Sequence, residues 1–320
     1  MDTEKIMKRL IEILIIVGIT IAAILLGFSN GINLSYNQKD TLIILLIIFM
    51  ISVAYCFIVG EITRNNSQMD KLWSILPVVY VWIIAIRGGL SLRLLVIAIL
   101  VTLWGIRLTY NFARKGAYSI KFWSGEEDYR WLVLRKKKIF QSKFTWALFD
   151  LFFISFYQNA LILAMCLPAL ACMDSEVAFG LFDYIATGLV LLFLIIETIA
   201  DEQQWKFHQK KKELLSYGTS LNELPAPYNI GFNTTGLWNR LRHPNYLGEQ
   251  GIWVSIYLFV IGAGVTHYGI FNWTIFGSML ILLLFLGSST FGESVSKSKY
   301  PEYEKYQNKV FKYLPINKYE

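Results

Sequence analysis

Apolar stretches of about twenty residues recur along the chain, with polar segments between them. A helix needs that length to cross the hydrocarbon core of a bilayer, and the stretches lack the period-two alternation of a β-barrel. The pattern therefore predicts an all-α, polytopic membrane helical bundle. The predicted spans are about 10–28, 41–60, 72–86, 94–112, 145–171, 178–200, 250–266 and 271–291. Because the third is short and the seventh contains glycines, we expect seven to eight transmembrane helices.

Basic residues are concentrated on one side of this predicted bundle. Segment 113–144 holds nine Lys and Arg residues, 201–249 holds six and 292–320 holds six, whereas the opposite loops hold only three. Positively charged loops stay in the cytoplasm, so we expect both termini to be cytoplasmic in a multi-pass protein of the cell membrane. The net charge of +7 follows this distribution, which argues against a nucleic-acid partner.

The composition supports the membrane interpretation and excludes several kinds of site. Charged residues make up only 17% of the 320 and mean hydropathy is +0.46, whereas soluble domains carry about a quarter charged residues. Cys56, Cys166 and Cys172 are scattered without a CxxC pair, so we expect reduced cysteines and no metal site. The sequence has no Walker loop, GxSxG or HExxH motif, so any nucleotide site must be built from the bundle itself.

The densest polar cluster lies where a predicted cytoplasmic loop enters the seventh span. It reads Arg242-His-Pro-Asn-Tyr-Leu-Gly-Glu249, and Gly236-Leu-Trp238 precedes it. Pro244 suits the first turn of a helix, whose unpaired amides favour an anionic group. The arginine and histidine suit phosphate, the asparagine and glutamate suit ribose hydroxyls or an amide, and the aromatic rings offer stacking faces. The alternative is an interfacial anchor, because these residue types also favour that depth.

Two further clusters lie at predicted helix ends. One face of the sixth helix carries four polar residues as it leaves the membrane: Glu197, Asp201, Gln204 and His208. An ionisable residue within the membrane is a functional candidate, although a solvated helix end is the alternative for the later residues. On the fourth helix, Arg107, Asn111 and Arg114 share a face that can meet a phosphate, although Arg107 can also snorkel to lipid headgroups.

Two charged segments have more than one explanation. The acidic residues Glu126, Glu127 and Asp128 precede Arg130 and Arg135 and then three lysines; the lysine run is more typical of a site for anionic lipid than for a substrate. In the C-terminal tail, tyrosines recur at three-residue spacing from residue 300 to 306. A helix lying on the membrane is the commoner explanation of that stripe, and a lid over a cofactor is the alternative.

These motifs resemble those of the bacterial branch of the steroid 5-alpha-reductase-like membrane family. The matching features are Asp70-Lys-Leu-Trp73, Trp104-Gly-Ile-Arg107-Leu, Glu127-Asp128-Tyr-Arg130, Leu134-Arg135, Gln158, Glu197, Ala200-Asp201, Gly236-Leu-Trp238, Arg242-His-Pro-Asn-Tyr246, Gly248-Glu249 and the tail from Phe311 to Pro315. The match covers residues 70–315, with the N-terminal transmembrane helices 1–69 and the tail 316–320 outside it. In this order the short motifs are fairly specific.

The resemblance implies a seven-helix-type bundle that binds NADPH from the cytosol. It implies reduction of an activated carbon–carbon double bond in a lipid-like substrate, such as a steroid or another enone, that partitions from the bilayer. Asp70 stands at the position of the family's catalytic acid, Trp104 stands near that of its tyrosine, and Tyr110 and Tyr80 are the substitutes that we expect as proton donors. The expected cofactor-binding residues are Arg107, Asn111, Arg114, Asp128, Arg130, Arg135, Glu197, Asp201, His208, Trp238, Arg242, His243, Asn245, Tyr246 and Glu249.

Two other functions remain open at this point. A related membrane fold, the isoprenylcysteine-type carboxyl methyltransferases, shares an RHPxYxG-like turn and uses S-adenosylmethionine. Asp201 and the additional basic residues suit a dinucleotide with a 2′-phosphate better than a sulfonium ligand. A lipid-binding protein that has lost catalysis is the non-enzymatic alternative, and Trp104 is its best support. A transporter ranks last, because the charges within the membrane lie at one side and form no path through it.

Overall fold

The computed structural model describes residues 17–319, and every regular element among them is a helix. In chain order the α-helices are α1 (Val17–Phe28), α2 (Tyr36–Thr63), α3 (Gln68–Trp73), α4 (Leu76–Arg87), α5 (Leu92–Ala113), α6 (Tyr129–Arg135), α7 (Lys143–Phe149), α8 (Gln158–Ala171), α9 (Leu181–Ser216), α10 (Pro244–Gly262), α11 (Ile275–Lys299) and α12 (Tyr303–Lys309). The predicted all-α class is confirmed for these residues. The predicted first span, 10–28, lies partly outside them.

Six helices in the described part of the chain are long and apolar enough to cross a membrane. They are Tyr36–Thr63, Gln68–Arg87, Leu92–Ala113, Lys143–Ala171, Leu181–Ser216 and Ile275–Lys299. Each covers all or most of one predicted span, so the interpretation as a multi-pass membrane protein is supported. The seventh predicted span, 250–266, corresponds to α10, which is not among the six. It begins earlier, at Pro244, and its first two turns carry Asn245, Glu249 and Gln250.

The chain divides into two compact units. The N-terminal unit comprises residues up to Thr187 together with Val254–Ile281, and the C-terminal unit comprises Gly188–Trp253 together with the residues from Leu282 onward. These units are defined by contacts in the structure. The domain boundary at residue 70 is defined by sequence resemblance instead, and it stays a prediction.

Close helix contacts build the core of the N-terminal unit. Tyr80 and Ile84 of α4 and Trp104 of α5 are fully buried. Helix α5 approaches α4 at Gly105, where a Cβ atom would lie 2.6 Å from Cγ2 of Val78. A stretch of π-helix, Asp150–Tyr157, joins α7 to α8 in one continuous span. Such stretches are rare and occur mostly as single-turn bulges inside α-helices.

A buried ion pair connects distant segments of the same unit. Arg93, at the start of α5, donates to both carboxylate oxygens of Asp183 at 2.7 and 2.9 Å. Its remaining donors reach the carbonyl oxygens of Val177, Ala178 and Gly262. A buried charge pair is tolerated when its hydrogen-bonding capacity is filled in this way.

The tail of the C-terminal unit differs from the expected surface helix. Tyr303 and Tyr306 of α12 are buried, and they pack with Val310 against Phe232. The Tyr306 hydroxyl donates to the carbonyl oxygens of Trp238 and Leu241. The expectation of a tyrosine stripe on the membrane is therefore wrong. Three-residue spacing indicates a shared helix face, and here that face meets a loop of the protein.

Candidate functional site

The predicted helix start at Pro244 is confirmed, because Pro244 is the first residue of α10. Asn245 follows it, and its side-chain amide donates to Oδ1 of Asp201 on α9 at 3.3 Å. One turn later Glu249 is buried, and its Oε1 accepts a hydrogen bond from the Trp253 indole at 3.1 Å. The structure thus brings two expected cofactor residues, Asp201 and Asn245, into contact on neighbouring helices.

Two glycines of α10 allow it to pack closely against α9 within the C-terminal unit. A Cβ atom on Gly248 would lie 2.5 Å from Cβ of Glu197 and 2.9 Å from the carbonyl oxygen of Phe193. A Cβ atom on Gly251 would lie 2.4 Å from the ring of Phe193. Only glycine fits at such positions, so the spacing of the two glycines determines how α10 lies against buried Glu197.

Three buried amide atoms of this unit lack a hydrogen-bond partner among residues 17–319. They are Oδ1 of Asn245, Oε1 of Gln204 and Nδ2 of Asn233. Leaving a buried polar atom unsatisfied costs about 1–3 kcal/mol, so such atoms in a native fold need an explanation. Acceptors and a donor together match a ligand that presents both hydroxyl or amide donors and carbonyl-type acceptors.

Sequence reasoning placed Gln204 on the polar face of α9 but did not identify Asn233. The Asn233 side chain forms a turn, accepting from the backbone amide and the hydroxyl of Thr235, both at 2.9 Å. That turn leads into Gly236 and Leu237, whose amide donates to Gln203 of α9 at 2.9 Å. A single asparagine in a loop resembles any other turn residue, so the sequence carried no signal for it.

The side chains of Arg242 and His243 are engaged by protein groups. Nε of Arg242 donates to Oε1 of Glu293 at 2.7 Å, and Nε2 of His243 lies 2.9 Å from the same oxygen. Gln307 donates to the other oxygen of Glu293 at 2.7 Å. Burial lowers the pKa of His243 below its usual range, although the bond to Glu293 opposes the shift. A neutral imidazole with its proton on Nε2 satisfies this geometry.

The C-terminal tail is bonded to the same turn. The backbone amides of Arg242 and His243 donate to the carbonyl oxygens of Phe311 and Lys312 at 3.1 and 3.3 Å. Nearer the end of the tail, the Tyr319 carbonyl accepts a hydrogen bond from the Asn239 side chain at 2.6 Å. The turn before α10 is therefore held in place by the tail and Glu293, and Glu293 was absent from the expected site.

The remaining expected residues of this unit differ in exposure. Tyr246 stacks on His243 with ring centroids 5.1 Å apart. Trp238 is buried, and its indole donates to the Ala200 carbonyl at 3.0 Å. His208 lies on the exposed part of α9, with Nε2 3.1 Å from Nε2 of Gln204. Trp238 thus anchors the turn on α9.

In the N-terminal unit, the expected catalytic acid is already part of an ion-pair network. Asp70 accepts from Arg130 at 3.0 Å and from the Trp131 indole at 2.9 Å. Asp128 is the N-cap of α6 and accepts from the backbone and Nε of Arg130 at 2.9 and 2.8 Å. Arg135 in turn makes a bidentate pair with Glu127, with both N–O distances 2.7 Å. Each of the three carboxylates is therefore paired with an arginine.

The two substitute tyrosines have opposite environments. Tyr80 is fully buried on α4, and its hydroxyl has no hydrogen-bond partner in the described chain. Tyr110 on α5 is 64% exposed, and the Arg114 guanidinium lies 5.4 Å from its ring centroid. Of the two, Tyr80 has a buried hydroxyl that remains available to a ligand.

The basic face of α5 is preserved in the structure. Asn111 is buried, and its Oδ1 accepts from Nε and a terminal nitrogen of Arg114 at 3.0 and 2.8 Å. Arg107 lies one turn earlier and is half-buried. No cluster of three potential metal ligands occurs in residues 17–319.

Comparison with known proteins assigns the family. A sequence profile described as "Protein of unknown function (DUF1295)" matches residues 56–310. The chain belongs to this family. DUF1295 is grouped with the steroid 5-alpha-reductase-like families, which agrees with the resemblance in the motifs. An uncharacterised protein of Schizosaccharomyces pombe is 36% identical over 308 residues, which are 90% of this chain and 83% of that relative. Because that relative is a yeast protein, the bacterial branch stays a prediction. No solved structure matches the chain.

Proposed function

We propose that this DUF1295 protein is a membrane-embedded, NADPH-dependent reductase of an activated carbon–carbon double bond in a lipid-like substrate. The observation that supports the proposal best is the Asp201–Asn245 pair, together with buried amide atoms of Asn245, Gln204 and Asn233 that lack partners in residues 17–319. A carboxylate and amides suit ribose hydroxyls and a carboxamide. The residues present therefore fit a dinucleotide.

The expected residues divide into two roles under this proposal. Asp201, Asn245 and Glu249 of the C-terminal unit would bind the cofactor, whereas Arg242 and His243 would hold the turn that carries Asn245, because Glu293 and the tail already engage them. In the N-terminal unit, phosphate binding by Arg107, Asn111 and Arg114 stays a separate prediction from the sequence. Asp128, Arg130 and Arg135 stabilise the loop before and around α6.

For the reaction, NADPH would supply the hydride to the β-carbon of the enone. Tyr80 is the residue of this chain that we propose to donate a hydrogen bond to the substrate carbonyl oxygen, where negative charge develops. Its hydroxyl is buried and has no partner in the described residues. Asp70 would orient Arg130 and Trp131, since both of its carboxylate oxygens are already hydrogen-bonded to them. An apolar bundle excludes water and admits a substrate from the bilayer.

The topology belongs to the same proposal. We infer seven to eight transmembrane helices with both termini in the cytoplasm, and a cofactor site that faces the cytoplasm of a cell membrane. The concentration of basic residues in three long segments supports this orientation.

Nucleotide-induced thermal stabilisation of the detergent-purified protein tests the function. We expect NADPH to raise the melting temperature Tm more than NADH or S-adenosylmethionine does. Asn245→Ala should weaken NADPH binding by about 1–3 kcal/mol, because it leaves a buried partner unsatisfied. Asn308→Ala, at an exposed position of α12, is the control and should bind as the unmodified protein does.

The other outcomes identify the alternatives. Stabilisation by S-adenosylmethionine alone would replace the reductase with a methyltransferase of the isoprenylcysteine type. If none of the three ligands stabilises a protein shown to be folded, the reductase proposal fails and a lipid-binding protein without catalysis is favoured.

A further inference from the structure

Three lysines lie close together in the sequence between α6 and the start of the membrane-spanning helix Lys143–Ala171. Lys136, Lys138 and Lys143 are all exposed, and none of them forms an ion pair within residues 17–319. We call these three residues the basic patch. Along the chain, the nearest acidic side chain before the patch is Asp128, which pairs with Arg130 at 2.8 Å, and the nearest after it is Asp150, which is buried and accepts hydrogen bonds from Asn66 and Ser155. The positive charge of the patch is therefore not compensated by the protein.

Four other surface lysines have acidic partners. Each lies close to a glutamate, with N–O distances of 3.4, 2.8, 2.6 and 3.0 Å respectively: Lys206 with Glu202, Lys210 with Glu213, Lys297 with Glu304 and Lys305 with Glu302. In these four cases the protein supplies the negative charge itself, so they serve as a comparison for the basic patch.

Two apolar side chains next to these lysines face outward. Ile139 is 68% exposed and Phe144 is 70% exposed. Lys143 is also the first residue of the membrane-spanning helix Lys143–Ala171. A lysine at the end of a span lies at the level of the headgroups, and apolar neighbours there reach the upper part of the acyl chains. The segment therefore offers charged groups to the headgroup of a lipid and apolar groups to its acyl chains.

The segment is also rigidly built. The Thr145 hydroxyl donates to the Ile139 carbonyl at 2.8 Å and fixes the turn between Lys138 and Lys143. Beneath the turn, the Phe140 ring contacts those of Trp146 and Phe149, with centroid distances of 5.8 and 4.6 Å. A preformed turn loses little conformational entropy when a ligand binds.

We propose that the basic patch, with Ile139 and Phe144, is a docking surface for anionic phospholipids of the surrounding bilayer. The three ammonium groups bind the phosphate and any further negative charge of the headgroup, and the two apolar side chains contact the acyl chains. Zwitterionic lipids offer no net charge to the patch and bind it less strongly. The proposal is independent of whether the protein binds NADPH.

Lipid-dependent thermal stability of the full-length protein tests this surface. Phosphatidylglycerol or phosphatidylcholine is added to the detergent micelles at equal mole fraction, and Tm is followed as the lipid fraction rises. We expect phosphatidylglycerol to raise Tm more. In the triple variant K136Q/K138Q/K143Q, the phosphatidylglycerol fraction that gives half the effect should rise about tenfold or more. The difference between the two lipids should also shrink at high salt, because the interaction is electrostatic.

Matched variants separate the patch from net charge and from misfolding. K206Q/K210Q/K305Q removes the same charge from lysines that have acidic partners, and it should keep the lipid preference. K136R/K138R/K143R keeps the charge and should also keep it. Equal responses to both lipids in the unmodified protein would overturn the proposal, and so would an unchanged preference in the first triple variant. An equal loss in the K206Q/K210Q/K305Q variant, or the same stabilisation by inorganic phosphate, would also overturn it.

Discussion

Glu293 is 5% exposed and accepts hydrogen bonds from three side chains: Arg242 and His243 through one oxygen and Gln307 through the other. Glu293→Ala removes all three acceptor contacts. Removing one partner of a buried ion pair typically costs about 3–5 kcal/mol. Arg242 keeps the Gln307 and Val310 carbonyls as acceptors, so we expect a loss of about 3–4 kcal/mol in the free energy of unfolding.

Glu293→Gln tests the contribution of charge. The amide retains one acceptor oxygen and nearly the same shape, so its cost should be about half that of the alanine variant. Glu304→Gln is the control: Glu304 is an exposed partner of Lys297, and its loss should cost less than about 0.5 kcal/mol.

Two measurements check these values. Unfolding by SDS in mixed micelles, followed by tryptophan fluorescence, gives the free energy of unfolding. Trypsin cleavage after Lys309 or Lys312 reports release of the tail from the turn before α10, and it should be faster in both Glu293 variants. If Glu293→Ala unfolds within 1 kcal/mol of the control and its tail is cleaved no faster, the assigned role of Glu293 is wrong.

Two further predictions concern the same unit. Gly248→Ala places a Cβ atom 2.5 Å from Cβ of Glu197 and should destabilise by about 1–3 kcal/mol, whereas Gly287→Ala, where nothing lies within 4 Å, should not; equal changes in Tm would contradict this close packing. Because burial lowers the pKa of His243, the unfolded state takes up a proton below about pH 6.5 that the folded state does not, so stability falls as the pH is lowered. His243→Gln should therefore lose less Tm than the unmodified protein between about pH 7.5 and pH 5.5, and an equal loss would argue against a buried, neutral His243.

The helices could be predicted because their signal is local. Length and hydropathy predicted six spans that the structure contains, and the fixed φ of proline indicated the start of α10 at Pro244. The seventh span was less accurate because polar residues of the first turns, such as Asn245 and Glu249, continue the helix outward from the apolar stretch.

The polar contacts were harder to predict because they join distant parts of the chain. His243 and Glu293 are 50 residues apart, and Arg130 and Asp70 are 60 apart. A sequence shows that each residue can carry charge or donate a bond, but not which partner folding brings to it. For this reason the sequence predicts phosphate ligands at Arg242 and His243 but does not reveal Glu293, the acceptor that engages both of them.

The Arg93–Asp183 pair has a consequence for biosynthesis. The two residues are 90 positions apart, and at about 5–20 residues per second the ribosome reaches Asp183 some 5–18 seconds after Arg93. During that interval the start of α5 has its arginine but not the carboxylate that neutralises it. The guanidinium must therefore stay in water, in the headgroup layer or within the insertion machinery until α9 emerges. The final depth of α5 is settled only when a much later helix arrives.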